Sequence, residues 1–321
     1  MTDWAIAFAV DTRNGKYGDC HTAVFAGLHG IDYDTSFQAV KMAGAAGISG
    51  FTAGLVGALK DKNYIDFRLE NGVVIDLGKS IPRPYLRIME IVSGLHEGYV
   101  AATGRKPKFH ALGVGTPILL PLIALMGDNN TYTSTDSTAP IKDAYASATI
   151  CLYVTEPAPL KLKAHRIAEY WLSEGIEWRC PCPYCRKIDG KYPPNLAKAR
   201  EWWRSEGSRR LSPSDMRDES PLSEYLPLLS SPADDNIRKE VGMARIGHNH
   251  WVLQKIEAGI RKHAQDTGLL RDYVAKVVDS YMNASSGESW KQATYAAWQL
   301  ADRTAQRIEK AEPSGPLPSN K

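Results

Sequence analysis

The sequence predicts an α/β fold: an irregular, incomplete (β/α) barrel of the TIM type, followed by a cysteine-containing subdomain and C-terminal helices. Three observations support this prediction. Short apolar runs alternate with segments of helical periodicity through the first half of the chain, each apolar run ends at a glycine or a polar residue, and the last part of the chain consists mainly of good helix formers. Strand, helix, strand repeats of this kind build parallel sheets.

Six apolar or β-branched runs are short enough to be strands, and three segments between them have helical spacing. The predicted strands are 4–10, 23–28, 50–56, 109–114, 131–135 and 147–154. The predicted helices are 34–46, 86–99 and 117–126. Asp34 or Thr35 is expected to cap the first of these helices, and Gly47 is expected to end it.

Five or six strands are fewer than the eight, within about 250 residues, that a closed barrel of this type contains. The barrel is therefore expected to lack its front. In parallel α/β folds the chemistry lies where strands end, so Asp11, His29, Gly54 and Asp136 are the first candidate site residues. His110, inside a predicted strand, is interpreted as a structural histidine.

The composition limits the class of protein. The 321 residues are 43% hydrophobic and 23% charged, as in ordinary globular proteins, and a net charge of +3 permits a nucleic-acid partner without requiring one. Five cysteines are too few for a disulfide-stabilised fold of this length. The N-terminus lacks the basic start of a signal peptide, and no apolar stretch reaches the roughly 20 residues that cross a bilayer. A cytoplasmic protein without membrane contact is expected.

Three cysteines, Cys180, Cys182 and Cys185, form a Cys-x-Cys-x-x-Cys cluster. Zinc binds four soft or borderline ligands in a tetrahedron, so three thiolates on one turn supply three corners and a distant histidine supplies the fourth. His248 and His250, expected just before a long helix, are the candidates. Reduced cysteines without a metal are the disfavoured alternative, because cytosolic thiols with such spacing usually have a metal or redox role. A zinc ion with four protein ligands would be structural.

The second half of the chain has a different character. Residues 186–240 are rich in Arg, Ser, Pro and Trp and are predicted to be an insertion with a helix near 195–206 and mobile loops after it. The basic stretch 198–210 is either a solvated helix face or a surface for phosphates and stacked bases. The chain is predicted to be helical from 251 to 310 and disordered in the tail 311–321.

The order of several motifs resembles the tRNA-guanine transglycosylase superfamily. The cysteine cluster and the pair His248-Asn249 resemble that family's zinc ligands and the His-Asn pair that opens a helix. Phe-Ala-Gly-Leu-His-Gly at 25–30, the glycine-rich run 47–57 and His-Ala-Leu-Gly-Val-Gly-Thr-Pro at 110–117 resemble its barrel strands and the loops that follow them.

By this resemblance Asp136 is the nucleophile that attacks the sugar C1′ and forms a covalent glycosyl-enzyme intermediate while guanine is exchanged for a 7-deazaguanine. The resemblance implies that Gly54, Leu55, Leu112 and Gly113 line the base pocket.

Three further roles come from the same resemblance. His29, followed by Gly30, stands where the family uses a glutamine to bind the base. Asp11 would bind the guanine edge or transfer protons. His248 becomes the preferred zinc ligand over His250 because it precedes an asparagine.

The sequence departs from the family's pattern at two places, and both change the function that is predicted. Asp136 is followed by Ser-Thr, which is more similar to the branch that places deazaguanines in DNA than to the tRNA enzymes. The Asp-Ser-Gly-Gly-Phe motif of the family's front strands, which holds the acid/base aspartate, is not found. Asp11, Asp19 or a second polypeptide is therefore expected to supply that group.

The leading hypothesis is a DNA guanine/7-deazaguanine transglycosylase that works with a second subunit completing the barrel, or as a homodimer. A tRNA-guanine transglycosylase is the first alternative, and a non-catalytic zinc-containing nucleic-acid-binding subunit is the second. The expected domains are a partial α/β barrel with the base pocket at 1–155 and a zinc-binding and helical region at 156–310.

Overall fold

The computed structural model describes residues 2–16, 18, 25–60, 64–65, 67–68, 74–75, 81–127, 133–146, 148–153, 157–174, 180–217, 219–284 and 287–311. The chain divides into two units, Met1–Ser137 together with Gly259–Lys321, and Thr138–Ala258. The predicted boundaries at 155 and 310 do not coincide with this division, because the last helices group with the first strands. Asp19 and the predicted tail from 312 onward lie outside the described residues.

The first unit begins with a helix and then alternates strands and helices. Its elements are α1 (Thr2–Arg13), β1 (Phe25–Leu28), α2 (Tyr33–Ala45), β2 (Gly50–Gly54), α3 (Val56–Leu59), β3 (Tyr64–Ile65), β4 (Phe67–Arg68), β5 (Val74–Ile75), β6 (Ile81–Pro82), α4 (Arg83–Thr103), β7 (Lys108–Leu112), α5 (Leu119–Met126) and β8 (Thr133–Asp136).

The second unit contains a β-hairpin and several helices, after which the chain returns to the first unit. Its elements are α6 (Ala139–Ala146), β9 (Thr149–Tyr153), β10 (Pro157–Lys163), α7 (Ala164–Glu174), α8 (Pro183–Lys191), α9 (Leu196–Ser205), α10 (Leu222–Tyr225) and most of α11 (Asp235–His263). The helices α12 (Thr267–Ala284) and α13 (Glu288–Ala311) belong to the first unit.

Strands β1, β2, β7 and β8 form a four-stranded parallel sheet in that order. The order follows the chain, with α2, α4 and α5 in the connections. The predicted α/β class is therefore confirmed, but the strands that the structure describes do not close into a barrel. The predicted strand at 147–154 exists as β9, yet it pairs antiparallel with β10 in a separate hairpin and adds nothing to the parallel sheet.

The apolar face of the sheet is covered by helix α4. Residues in register on neighbouring strands point to the same side of a sheet, and Phe51 of β2 pairs with Phe109 of β7. Both rings are buried and contact the imidazole of His96 on α4 with tilted, edge-on geometry. Burial lowers the pKa of His96 to about 4, so this histidine is a neutral part of the core.

The opposite face of the sheet carries small and polar side chains in two rows. The row nearer the middle of the strands, called here the middle row, contains Gly27, Thr52, His110 and Ser134. The row at the carboxyl-terminal ends, called the edge row, contains Gly54, Leu112 and Asp136. Because the two rows are two residues apart along each strand, they lie on the same face.

The prediction of a strand at 4–10 was wrong, because this segment lies in helix α1. Large apolar residues alternate there with three alanines, which imitates a strand pattern, but alanine is the strongest helix former. Trp4 and Phe8, one turn apart, stack at 5.6 Å between ring centroids. Arg13 donates to the carbonyl of Gly47, at 2.6 Å, in the connection that leads into β2. The end of α1 therefore lies near the amino-terminal edge of the sheet.

Helix α2 begins one residue earlier than predicted, and its cap differs. Asp32, and not Asp34 or Thr35, is the N-cap, because its carboxylate accepts from the backbone N–H of Thr35 at 2.9 Å. Gly47, with a φ of +75°, ends the turn after the helix as predicted.

The inserted region is a small folded core around helices α7, α9 and α10. Leu211, Met216, Leu222, Leu226 and Leu229 are buried there. Two tryptophans of α9 that were considered for base stacking, Trp202 and Trp203, pack against this core.

Among the helices of the described residues, none combines the length and apolar character that a membrane span requires.

Two glycines that follow parallel strands allow a matched test of packing. A Cβ on Gly30 would stand 2.9 Å from the Cα of Ser36 in α2, whereas a Cβ on Gly54 would meet no atom within 4 Å. Gly30→Ala is expected to cost about 1–3 kcal/mol of stability because α2 must shift, and Gly54→Ala is expected to leave stability unchanged. Thermal denaturation of both variants checks this, and equal melting temperatures would contradict it.

Candidate metal centre and sheet-edge site

Four buried side chains that were predicted as metal ligands meet in the second unit. The Sγ atoms of Cys180, Cys182 and Cys185 lie 3.3, 3.5 and 3.5 Å from Nδ1 of His248. All four ligand atoms lie within 4.8 Å of one another. Tetrahedral ligands with metal bonds of about 2.0–2.3 Å stand roughly 3.5–3.8 Å apart. The four atoms are therefore arranged as the ligands of one metal ion are.

The start of helix α8 positions the cysteines. Cys182 is the N-cap, and its Sγ accepts from the backbone N–H of Cys185 at 3.2 Å, while Pro183 occupies the first helical position. Contacts with Cys180 and Cys185 hold the pKa of the Cys182 thiol far below its ordinary value. Contacts with Cys180 and Cys182 raise the pKa of Cys185. A bound metal cation would stabilise thiolates at this position.

His248 is oriented by the main chain of strand β9. Burial alone would lower its pKa, but the sulfur atoms of Cys180 and Cys182 raise it to about 9. Its Nε2 lies 2.7 Å from the carbonyl oxygen of Cys151. When Nδ1 binds a metal, the Nε2–H donates to this carbonyl, which is the outer contact that usually orients a metal-bound histidine.

Asn249 fixes the same strand from the next position of α11. Its Oδ1 accepts from the backbone N–H of Cys151 at 2.8 Å. Its Nδ2 donates to the carbonyls of Thr149 at 3.1 Å and Pro140 at 3.3 Å. This role was not predicted from the sequence, although the adjacent His-Asn pair was the signal for it. Both residues of the pair therefore hold β9: His248 contacts the carbonyl of Cys151, and Asn249 contacts its N–H.

His248 lies inside a long helix, and not just before one as expected. Helix α11 begins at Asp235, and His248 continues a buried face that includes Val241 and Arg245. The guanidinium of Arg245 donates from Nε to the carbonyl of Leu228 at 2.7 Å, which holds the inserted region against the same helix. His250 is exposed, so the structure brings His248 to the cysteines.

A second group of predicted residues meets in the first unit, at the carboxyl-terminal edge of the parallel sheet. Asp136 ends β8, and its Oδ1 accepts from the backbone N–H of Gly113 at 2.7 Å. Gly113 has a φ of +79°, a conformation that favours glycine and that turns its N–H toward the carboxylate. The Thr135 hydroxyl lies 2.9 and 2.5 Å from the carbonyls of Ala111 and Val114. The end of β8 is therefore fastened to the loop after β7.

The other predicted pocket residues have different environments. His29 and Gly54 are exposed at this edge, and Leu112 is 36% exposed. Leu55 is buried and donates its N–H to the carbonyl of Leu112 at 3.2 Å, so its side chain belongs to the core. Gly30 lies against the backbone of α2, and its lack of a side chain allows this close packing. Among the predicted site residues at this edge, His29, Gly54, Leu112 and Asp136 are exposed.

The expectation that Asp11 stands at a strand end was wrong. Asp11 lies in the last turn of α1, where its carboxylate pairs with Lys16 at 2.5 Å. Arg13, two residues further, contacts Gly47 before β2 begins. Asp11 is therefore near the amino-terminal edge of the sheet, opposite the edge that carries Asp136, and it is not part of the same site.

The protein is expected to bind about one metal ion per chain through the four clustered side chains. Cys182→Ser and His248→Ala remove a ligand and are expected to lose the metal and most of the stability that it contributes, since metal binding to such sites is coupled to folding. Elemental analysis and thermal denaturation measure both effects. His250→Ala is the matched control, because His250 is exposed two positions away, and loss of metal in that variant alone would contradict the assignment.

No protein-family model matches the sequence, and a comparison with curated proteins finds no match.

Proposed function

We propose that this protein is a transglycosylase that exchanges guanine for a 7-deazaguanine base in DNA, with Asp136 as its nucleophile. The observation that carries the proposal is the position of Asp136: an exposed carboxylate at the carboxyl-terminal edge of a parallel sheet, held by the N–H of Gly113 at 2.7 Å. This edge is where α/β folds of this kind carry out their chemistry.

A carboxylate suits this reaction for physical reasons. It stabilises an oxocarbenium-like transition state at C1′, forms a covalent bond to the sugar as guanine leaves, and departs when the new base attacks. Only one oxygen of Asp136 is engaged by Gly113. The other oxygen is the nucleophile in the proposal, while the hydrogen bond to Oδ1 fixes the direction of attack.

The surface beside Asp136 suits a flat base. Gly54 is in register with Leu112, which is in register with Asp136, so all three face the same side of the sheet. Because Gly54 has no side chain and open space before it, a planar ring can approach the main chain there. Leu112 offers an apolar surface for stacking, and the exposed His29 offers a hydrogen bond to the base edge. The target base must leave its stack to reach this surface.

The metal in the proposal is zinc, in a structural role. Three thiolates and one imidazole are the ligand set that zinc prefers, and four protein ligands leave no open position for substrate. The ion would fasten the turn at 180–185 to α11. It would contribute stability to the second unit and no step of the exchange.

The proposal also includes a second polypeptide. Among the residues that the structure describes, the parallel sheet has four strands, half of the eight of a TIM-type barrel, and they follow chain order with helices between them. A second subunit, or a second copy of this chain, would supply the remaining strands.

A tRNA substrate is the alternative within the same chemistry, and the Ser-Thr that follows Asp136 is the feature that favours DNA. A non-catalytic nucleic-acid-binding subunit would have no need of the carboxylate.

Cells that carry the gene are expected to contain a 7-deazaguanine nucleoside in their DNA, and cells that carry Asp136→Asn are expected to lack it. The amide preserves the shape of the side chain but removes the charge that attacks C1′. Mass spectrometry of nucleosides from DNA and from tRNA measures the outcome and separates the two substrates. The metal content of the purified variant should equal that of the wild type. Modified nucleoside at wild-type levels in Asp136→Asn would refute the assignment.

Gly54→Ala is expected to raise the KM for the incoming base by about tenfold or more, because a methyl group would occupy the space proposed for the ring. Gly57→Ala is the matched control, since Gly57 is also exposed and a Cβ there would meet no atom within 4 Å, but it lies on α3. An unchanged KM in Gly54→Ala would show that the base does not lie against this strand end.

A further inference from the structure

The middle row of the sheet holds a histidine that the exchange reaction has not yet used. His110 of β7 is in register with Thr52 of β2 and with Ser134 of β8. Its side chain is half-buried and faces the same side of the sheet as Asp136. Two residues along a strand span about 6.6 Å and neighbouring strands stand about 4.8 Å apart, so the α-carbons of His110 and Asp136 are roughly 8 Å apart.

One nitrogen of the His110 ring is held in place. Nδ1 lies 2.6 Å from the Oγ of Ser134. A hydroxyl oxygen can accept the Nδ1–H, and this contact leaves Nε2 available to a ligand. Within the part of the chain that the structure describes, Nε2 has no hydrogen-bond partner.

The neighbouring position adds a second polar atom without a partner. The Oγ1 of Thr52 is buried and has no hydrogen-bond partner among the described residues. Buried hydroxyl groups are almost always paired. The hydroxyl of Thr52 and Nε2 of His110 are two neighbouring polar atoms that can hydrogen-bond to the edge of a heterocycle.

We propose that His110 is the general acid and base of the exchange, positioned by Ser134. This inference rests on the proposed transglycosylase function and identifies, within this chain, the group that transfers the proton. In glycosidases that form a covalent intermediate the two reacting groups stand about 5 Å apart, and two side chains on one face of a sheet with α-carbons roughly 8 Å apart are long enough to reach that separation. Asp11, the carboxylate considered from the sequence, lies at the opposite edge of the sheet and pairs with Lys16.

The proton balance closes with these two residues alone. In the first half, the free oxygen of Asp136 bonds to C1′, the C1′–N9 bond breaks, and the proton on Nε2 of His110 passes to the departing guanine. In the second half, Nε2 takes the N9 proton of the incoming 7-deazaguanine, N9 bonds to C1′, and the bond between Asp136 and C1′ breaks. His110 ends protonated as it began, and no other reactant is needed.

The test compares two leaving groups, of which only one needs a proton. Guanine leaves poorly as an anion, whereas 7-methylguanine leaves as a neutral base without protonation. The full-length protein, with any chain that copurifies, is given nucleic acid of the kind that contains the modified nucleoside, carrying labelled guanine either unmodified or methylated at N7. Base release above the spontaneous rate is measured for wild type, His110→Asn and Asp136→Asn. The asparagine at 110 can keep a hydrogen bond to Ser134 but cannot transfer a proton.

His110→Asn is expected to slow guanine release about 100- to 10,000-fold and to leave 7-methylguanine release within a few fold of wild type. Asp136→Asn is expected to lose both. As a second variant, His110→Ala should regain guanine release when imidazole is added. Equal losses for both leaving groups without imidazole rescue, or unimpaired guanine release, would overturn the role of His110 alone. Wild-type protein that releases neither base would overturn the proposed function and this inference with it.

Discussion

The register of the four parallel strands is the constraint on which the candidate active site depends. Asp136, Leu112 and Gly54 come from separate segments of the chain and meet only because β8, β7 and β2 end at the same level. Side chains alternate between the two faces of a strand, so a slip of one residue in β8 would turn Asp136 toward the helix-covered face. The contacts of the Thr135 hydroxyl with the carbonyls of Ala111 and Val114, and of Asp136 with the N–H of Gly113, oppose such a slip.

The second unit depends in the same way on one strand, β9. The main chain of Cys151 contacts His248 through its carbonyl and Asn249 through its N–H. Cys151 itself is a buried thiol, and burial raises its pKa to about 12. The side chain of Cys151 is buried in the core, while its carbonyl orients the ring of His248. Two adjacent residues on α11 therefore connect the metal cluster to the hairpin.

Prediction from the sequence succeeded where local pattern and tertiary structure agree. Short apolar runs that end at His29, Gly54 and Asp136 predicted parallel strands correctly, because strand ends in α/β folds combine an apolar run with a turn residue. The same pattern failed at 4–10, where alternation resembled a strand but alanine content favoured α1. The sequence could not reveal that β9 turns back on β10, because pairing direction is a long-range property. It also could not show that α11 begins at Asp235, since the buried face of this helix is polar at Arg245 and His248, whose partners lie far away in the sequence.

The separation of the metal ligands along the chain has a consequence for the inserted region. Cys185 and His248 are 63 positions apart, and the core built on Leu222 and Leu226 lies between them. An ion bound at both ends closes this segment into a loop, and in the chain-entropy description a loop of that length restricts the unfolded chain by about 4 kcal/mol. A metal ion bound there would act as a reversible cross-link. In cells short of metal, this loop would open first, and proteases would cut the second unit before the sheet that carries Asp136.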